Sequence, residues 1–252
     1  MFIYSENIYT PEGIRKGYIK IKDKKITSIQ EKININENIG EEILDYKDCY
    51  VIPGFIDNHI HGWGTGSFWK DGTVEAIYNM KKDLVKEGTT SFLGTTGASS
   101  IQKISNTLRA AKEVLDRENL KIIGAELIGV HLKGPFIGKE YKGMQKEECC
   151  IEPDINILKE FSDIIGEENI RLITLAPELK GAEEMIRYCR RKNIALQAGH
   201  TSATFDDMNK AVEAGINGVT HTYSAMRGFH HREFGVVGAA MYFDELYTEF
   251  SK

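Results

Sequence analysis

The sequence predicts an α/β fold: an incomplete (β/α)8 barrel of the TIM type, with about six of eight strands, preceded by a small segment of short strands. Three observations carry that expectation. From Val51 onward, apolar runs alternate with helical patterns, the mark of a parallel sheet with crossover helices. Several runs end in a polar cluster, as buried parallel strands do when they deliver a few groups to one end of a sheet. Histidines stand at those ends: His59 and His61 in FIDNHIHG, His131 in GVHLKGPF, His200 in AGHTS and His221 in VTHTYSAM. Barrel chemistry gathers at C-terminal strand ends, so the pattern points to a metal centre.

Composition narrows the classes. The chain has 252 residues, a formal charge of −5 and 41% hydrophobic residues, enough for a sizeable core and for one large domain with a small appendage. No basic stripe is present, which excludes a nucleic-acid role. The four cysteines show no metal spacing, and Cys149 and Cys150 are adjacent, so reduced thiols in a cytoplasmic protein are expected. The N-terminus lacks an apolar leader core, and no run approaches the ~18 apolar residues of a membrane span. The expectation is a soluble cytoplasmic protein with no membrane partner.

Residues 1–52 read as short strands punctuated by Gly13, Gly17 and Asp23–Lys24, with a hairpin turn at Lys22–Lys25. So small a β segment is not stable alone and belongs to a side sheet. Residues 53–252 form the barrel part. Its first strand is VIPGFIDNHIH (51–61), followed by TSFLGTT (90–96), AELIGVHL (125–132), RLITLAPE (171–178), IALQAGH (194–200) and GVTHT (218–222). Helices are expected over 73–87, 101–117, 153–165, 181–192 and 204–214, with start signals at Asp71–Thr73, Ser99–Ser100 and Pro153–Asp154. EGTT (87–90) and EAGINGVTH (213–221) have the helix–glycine–strand joint of αβ loops.

The histidines carry the chemistry. His59 and His61 are two apart and so share one face of a strand, as a metal pair or a structural pair. His200 and His221 end strands one βα unit apart, where two imidazoles can meet one cation at about 2.0–2.1 Å. His131 is either a ligand or a support behind one, and His230 and His231 lie in a loop, at a site or at the surface.

VIPGFIDNHIHG, GVHLKGPFIGKEYKGMQ, LAPE, GHTSAT and VTHTYSAM…HREFGVVGAA, in that order, resemble the N-acetylglucosamine-6-phosphate deacetylases of the amidohydrolase superfamily along nearly the whole chain. The resemblance implies a (β/α)8 barrel with a small β-sandwich, to which residues 1–52 contribute. It implies a divalent metal, zinc or iron, an amino-sugar phosphate substrate, removal of its acetyl group as acetate, and a homodimer. It implies metal ligation by His200 and His221, with His59 and His61 helping to hold a second ion in some members. Arg232 of HREFG matches an arginine associated with the substrate's phosphate, and Ala225 and Met226 match the end of an N-A-M turn. His231, beside Arg232, is grouped with the substrate-binding positions.

The sequence also departs from that pattern. Lys133 stands where the family has its third ligand, the Glu of HLEGPF. Gln145 stands for a substrate-contacting His, Ser224 for the Asn of N-A-M, and Phe234 for a Pro. A protonated lysine has no lone pair and repels a cation. The family's general base is an Asp at the end of a later strand, and the sequence stops before it. Asp57, Asp206 and Asp207 belong to other motifs. No catalytic residue is therefore assigned, and the expectation is an impaired member of the family, or a non-catalytic homologue that binds at most metal or sugar phosphate.

Overall fold

The chain divides into two units, residues 1–54 and 55–252, and the computed structural model describes residues 1–34, 40–117 and 124–250. In the first unit, β1 (Phe2–Thr10) pairs antiparallel with β2 (Gly13–Lys22), which pairs antiparallel with β3 (Lys25–Gln30). The hairpin at Lys22–Lys25 forms: Asp23 and Lys24 both turn left-handed, with φ of 51° and 62°, the twist that a two-residue loop needs to match its strands. The short strands β4 (Ile43–Asp45) and β5 (Tyr50–Val51) both run parallel to β1. Phe2, Ile8 and Ile19 are the buried apolar side chains of this sheet.

The second unit is built on one parallel sheet of seven strands. Its first strand is β6 (Phe55–Ile60), followed in the chain by a tiny hairpin of β7 (Gly62–Trp63) and β8 (Gly66–Ser67). Then come β9 (Thr89–Thr95), β10 (Glu126–Lys133), β11 (Ile170–Leu175), β12 (Ala195–Ala198), β13 (Gly218–Val219) and β14 (Tyr247–Thr248). The order across the sheet is β14-β13-β12-β11-β10-β9-β6, so each strand lies beside its predecessor. The sheet is an incomplete, curled barrel.

Helices fill the crossovers: α1 (Val74–Leu84), α2 (Ile101–Arg117), α3 (Ile155–Ile165), α4 (Ala182–Arg191), α5 (Phe205–Ala214) and α6 (Gly235–Tyr242). Thr73 and Asp154 cap α1 and α3, accepting from the backbone N–H of Ala76 and Asn156. Thr204 and Asp207 form a reciprocal capping box on α5. Leu108, Leu127, Val130, Phe161, Ile173 and Ile186 are among the fully buried side chains of the core between sheet and helices.

Besides the small β7–β8 hairpin, two elements go beyond the sequence expectation of six strands and five helices. The seventh strand, β14, pairs Tyr247 and Thr248 with Gly218 and Val219. It continues through the Glu249 N–H to the Val219 carbonyl at 3.0 Å and the Thr222 N–H to the Glu249 carbonyl at 2.7 Å. A two-residue strand has no period to read. The sixth helix, α6, is GVVGAAMY, buried from Gly235 to Ala239, and its nearly uniform apolarity hides the helical period.

Candidate metal centre

Five histidines arrive at one end of the sheet, and each has its Nδ1 against an oxygen that only accepts. His61 Nδ1 donates to the Thr95 carbonyl at 3.1 Å, His131 to Asn58 at 3.0 Å, His200 to Tyr141 at 2.8 Å and His221 to Ser224 at 2.9 Å. His59 Nδ1 donates to the Glu249 carboxylate at 2.6 Å. This fixes the Nδ1–H tautomer and leaves each Nε2 with a lone pair. His131 spends its lone pair: its Nε2 lies 2.7 Å from the Thr174 hydroxyl. With both ring nitrogens engaged and the ring fully buried, His131 supports the site from behind.

His200 and His221 differ. Their Nε2 atoms face one another at 3.1 Å, lone pair against lone pair. Two nitrogens each about 2.0–2.1 Å from one tetrahedral ion stand about 3.3 Å apart, so the pair already has the spacing of two ligands. The backbone here is strained: His200, His221, Tyr223 and Ala225 adopt positive φ of 50°, 32°, 76° and 50°, which non-glycine residues adopt only when their surroundings impose it. Glu178, from LAPE, imposes it on the His200 turn. Its Oε1 accepts from the Ser202 N–H at 2.7 Å and the Ser202 hydroxyl at 3.0 Å, and its Oε2 accepts from the Thr201 hydroxyl.

The electrostatics follow from burial and from one cation. Desolvation, then the charge of Lys133, push His61 and His200 down to about 3 and His221 to about 4. Lys133 is only 6% exposed, and burial lowers it to about 8 against the opposing pull of Glu249. Glu249 was not anticipated from the sequence. Its carboxyl is held below the usual range: burial raises it, but His59 and the His221 N–H outweigh that. Oε2 accepts from that N–H at 2.9 Å, while Oε1 is buried with no hydrogen-bond partner.

A cleft of about 780 Å³ opens over these groups. His59, His61, Lys133, His200, His221, Gln145, Ser224, Ala225 and Glu249 all line it, as do Trp63 and Trp69, which the sequence reading passed over. Gln145 is buried with its Oε1 unpartnered. Arg232 and His231 are exposed and lie outside the lining.

Known proteins share this architecture. The model of the amidohydrolase family matches residues 50–248. The chain belongs to the amidohydrolase family. It is 38% identical over 238 residues to the N-acetylglucosamine-6-phosphate deacetylase of Bacillus subtilis, covering 94% of this chain and 59% of that protein. The like-named protein of Lysinibacillus sphaericus is 34% identical, covering 91% of this chain and 57% of its own length. The crystal structure of the N-acetylglucosamine-6-phosphate deacetylase of Thermotoga maritima superposes with a TM-score of 0.83 at 29% identity, over 99% of this chain and 62% of that one. The chain thus spans about three-fifths of the length of the relatives it matches.

Enzymes of the family typically use a divalent metal. The donor chemistry of this chain fits such an ion at one point, the two opposed and unprotonated Nε2 atoms of His200 and His221. Among the described residues, no three His, Cys, Asp or Glu side chains are set around one ion. Lys133, which lines the same cleft, offers no lone pair while protonated.

Proposed function

We propose that this chain carries the centre of a metal-assisted deacetylase that converts N-acetylglucosamine 6-phosphate to glucosamine 6-phosphate and acetate. The observation that carries the reading is the His200–His221 pair, two neutral imidazoles with opposed lone pairs 3.1 Å apart. The substrate class is supported by the names of the relatives at 38% and 34% identity. Zinc and iron both suit an imidazole-rich site. A cation bound there supplies polarisation of the amide carbonyl.

His200 and His221 hold the ion, and His59 and His61 line the same cleft from β6, the strand at the other end of the sheet. The Gln145 amide and the Ser224 and Ala225 turn face the sugar, and Trp63 and Trp69 give the cleft an apolar wall. Arg232 and His231 reach a bound phosphate only if their loop folds over the sugar, where a guanidinium provides bidentate hydrogen bonds. A homodimer and a cytoplasmic location belong to this reading. The free state of the four cysteines and a phosphorylated substrate suit a reducing interior.

Lys133 favours a second reading, a chain that binds metal or sugar phosphate without turnover. The experiment is acetate release from N-acetylglucosamine 6-phosphate by zinc- and iron-loaded protein, compared with Lys133→Glu. Acetate from the unaltered chain establishes the first reading. Acetate only from Lys133→Glu assigns the loss to Lys133, and none from either metal-loaded protein establishes the second.

A further inference from the structure

Among the described residues, Glu249 is the one carboxylate bonded directly into the histidine cluster, and it comes from a strand that the sequence does not advertise. Its Oε2 receives two donors, the His59 ring at 2.6 Å and the His221 backbone N–H at 2.9 Å. Those histidines follow from opposite sides of the sheet: His59 lies on β6, one end strand, and His221 follows β13, beside the other end strand β14. Glu249 therefore joins the first strand to the last across the cleft. The other four histidines each place Nδ1 on a neutral backbone carbonyl; His59 alone is held by a charge.

We infer that Glu249 is a positioning residue of this centre: it fixes His59 with the Nε2 lone pair available to a cation, pins His221, and supplies the negative charge that Lys133 withholds. The inference rests on the reading of the histidine cluster as a cation site. A ligating imidazole whose other nitrogen donates to a carboxylate is a more basic and better-oriented ligand, and losing such a partner typically weakens metal binding about 10–100-fold. The unpartnered, buried Oε1 of Glu249 agrees with this role: the carboxylate has acceptor capacity left over inside a site built for positive charge.

The test is zinc affinity of the full chain, measured by competition with a chromophoric chelator, for the unaltered protein, Glu249→Gln, Glu249→Asp, His200→Ala, His59→Ala and the His59→Ala/Glu249→Gln double variant. Circular dichroism verifies the fold of each. Expected are one zinc per chain, loss of binding in His200→Ala, a loss of about 10–100-fold in Glu249→Gln and partial recovery in Glu249→Asp. Because Glu249 acts in part through His59, Glu249→Gln should cost less once His59 is gone. If Glu249→Gln fails to fold, Glu249→Asp carries the comparison and must bind more weakly than the unaltered chain. Unaltered affinity in the Glu249 variants, with binding lost in His200→Ala, overturns this inference and leaves the metal reading intact. A folded, unaltered chain that binds no zinc overturns both.

Discussion

An ammonium taken out of water is costly, and the cost shows in the fall of Lys133, buried in the cleft, to about 8. An unfolded lysine titrates near 10.4, so the unfolded chain takes up this proton first as pH falls. The penalty is absent above about 10.5, grows down to about 8 and is then constant, at roughly 3 kcal/mol by linkage. Lys133→Met is expected to raise unfolding free energy by about 1–3 kcal/mol at pH 7, with the gain shrinking by pH 10; urea denaturation at the two pH values checks it. Lys133→Glu is expected to tighten zinc binding by about tenfold or more, by adding an anionic third donor to the two neutral imidazoles; an unchanged dissociation constant would show that position 133 does not reach the ion. The histidines titrate with the same sign. His61 and His200 fall to about 3 and His221 to about 4, so below about pH 6.5 the unfolded chain binds protons that the folded site refuses. Stability should fall as pH drops from about 6.5 toward 3–4, and the folded site should keep zinc until protons reach Nε2 near pH 3–4 or the chain unfolds. A urea midpoint unchanged between pH 7.5 and 5 contradicts this. Lys133 and the histidines were legible in the sequence because their types are unusual at the ends of apolar runs. Glu249 was not, since one Glu in ELYTEF looks like any surface carboxylate until β14 is known to pair.

At the scale of elements, the site depends on turns that sit in strained backbone. The His200 turn is held by Glu178, whose carboxylate serves Thr201 and Ser202 together. Glu178→Ala removes three acceptor contacts and leaves the fully buried Thr201 hydroxyl without this partner. A cost of about 1–3 kcal/mol is expected, with weaker zinc binding because His200 loses its enforced φ of 50°. A thermal melt and a zinc titration on the same variant measure both; equal melting and equal affinity would remove Glu178 from the account. LAPE and GHTSAT were readable as motifs, but not as partners, since 24 residues separate Glu178 from Ser202. The longer strands and helices were legible from period and capping: Thr73 and Asp154 are caps where the sequence placed starts. GVTHT was legible as the strand that contains β13, whereas β14, also two residues long, exists only because β13 offers it a ladder, and α6 escaped detection because no polar face marks it.

For the molecule as a whole, the consequence lies at the ends of the seven-stranded sheet. Among the described residues, β6 and β14 each have a sheet neighbour on one side only. Their apolar side chains face solvent: Phe55 and Ile56 on β6, and Tyr247 with the following Phe250 at β14, are all more than half exposed. A flat edge with unpaired N–H and C=O groups and uncovered aromatic surface is a template for another strand. Glu249 joins the two sides at the cleft through a side chain, but it supplies no backbone pairing between β6 and β14. The chain is therefore expected to self-associate across the micromolar range, seen by sedimentation velocity as a concentration-dependent shift. A lysine at Ile56 or Tyr247 places charge on the edge without touching the histidines, and Ile56→Lys or Tyr247→Lys should reduce the shift. A single monomeric species at every concentration would mean that these edges are quiet. Association unchanged in both variants would move the contact elsewhere, to surfaces such as the exposed Met241 and Tyr242 of α6.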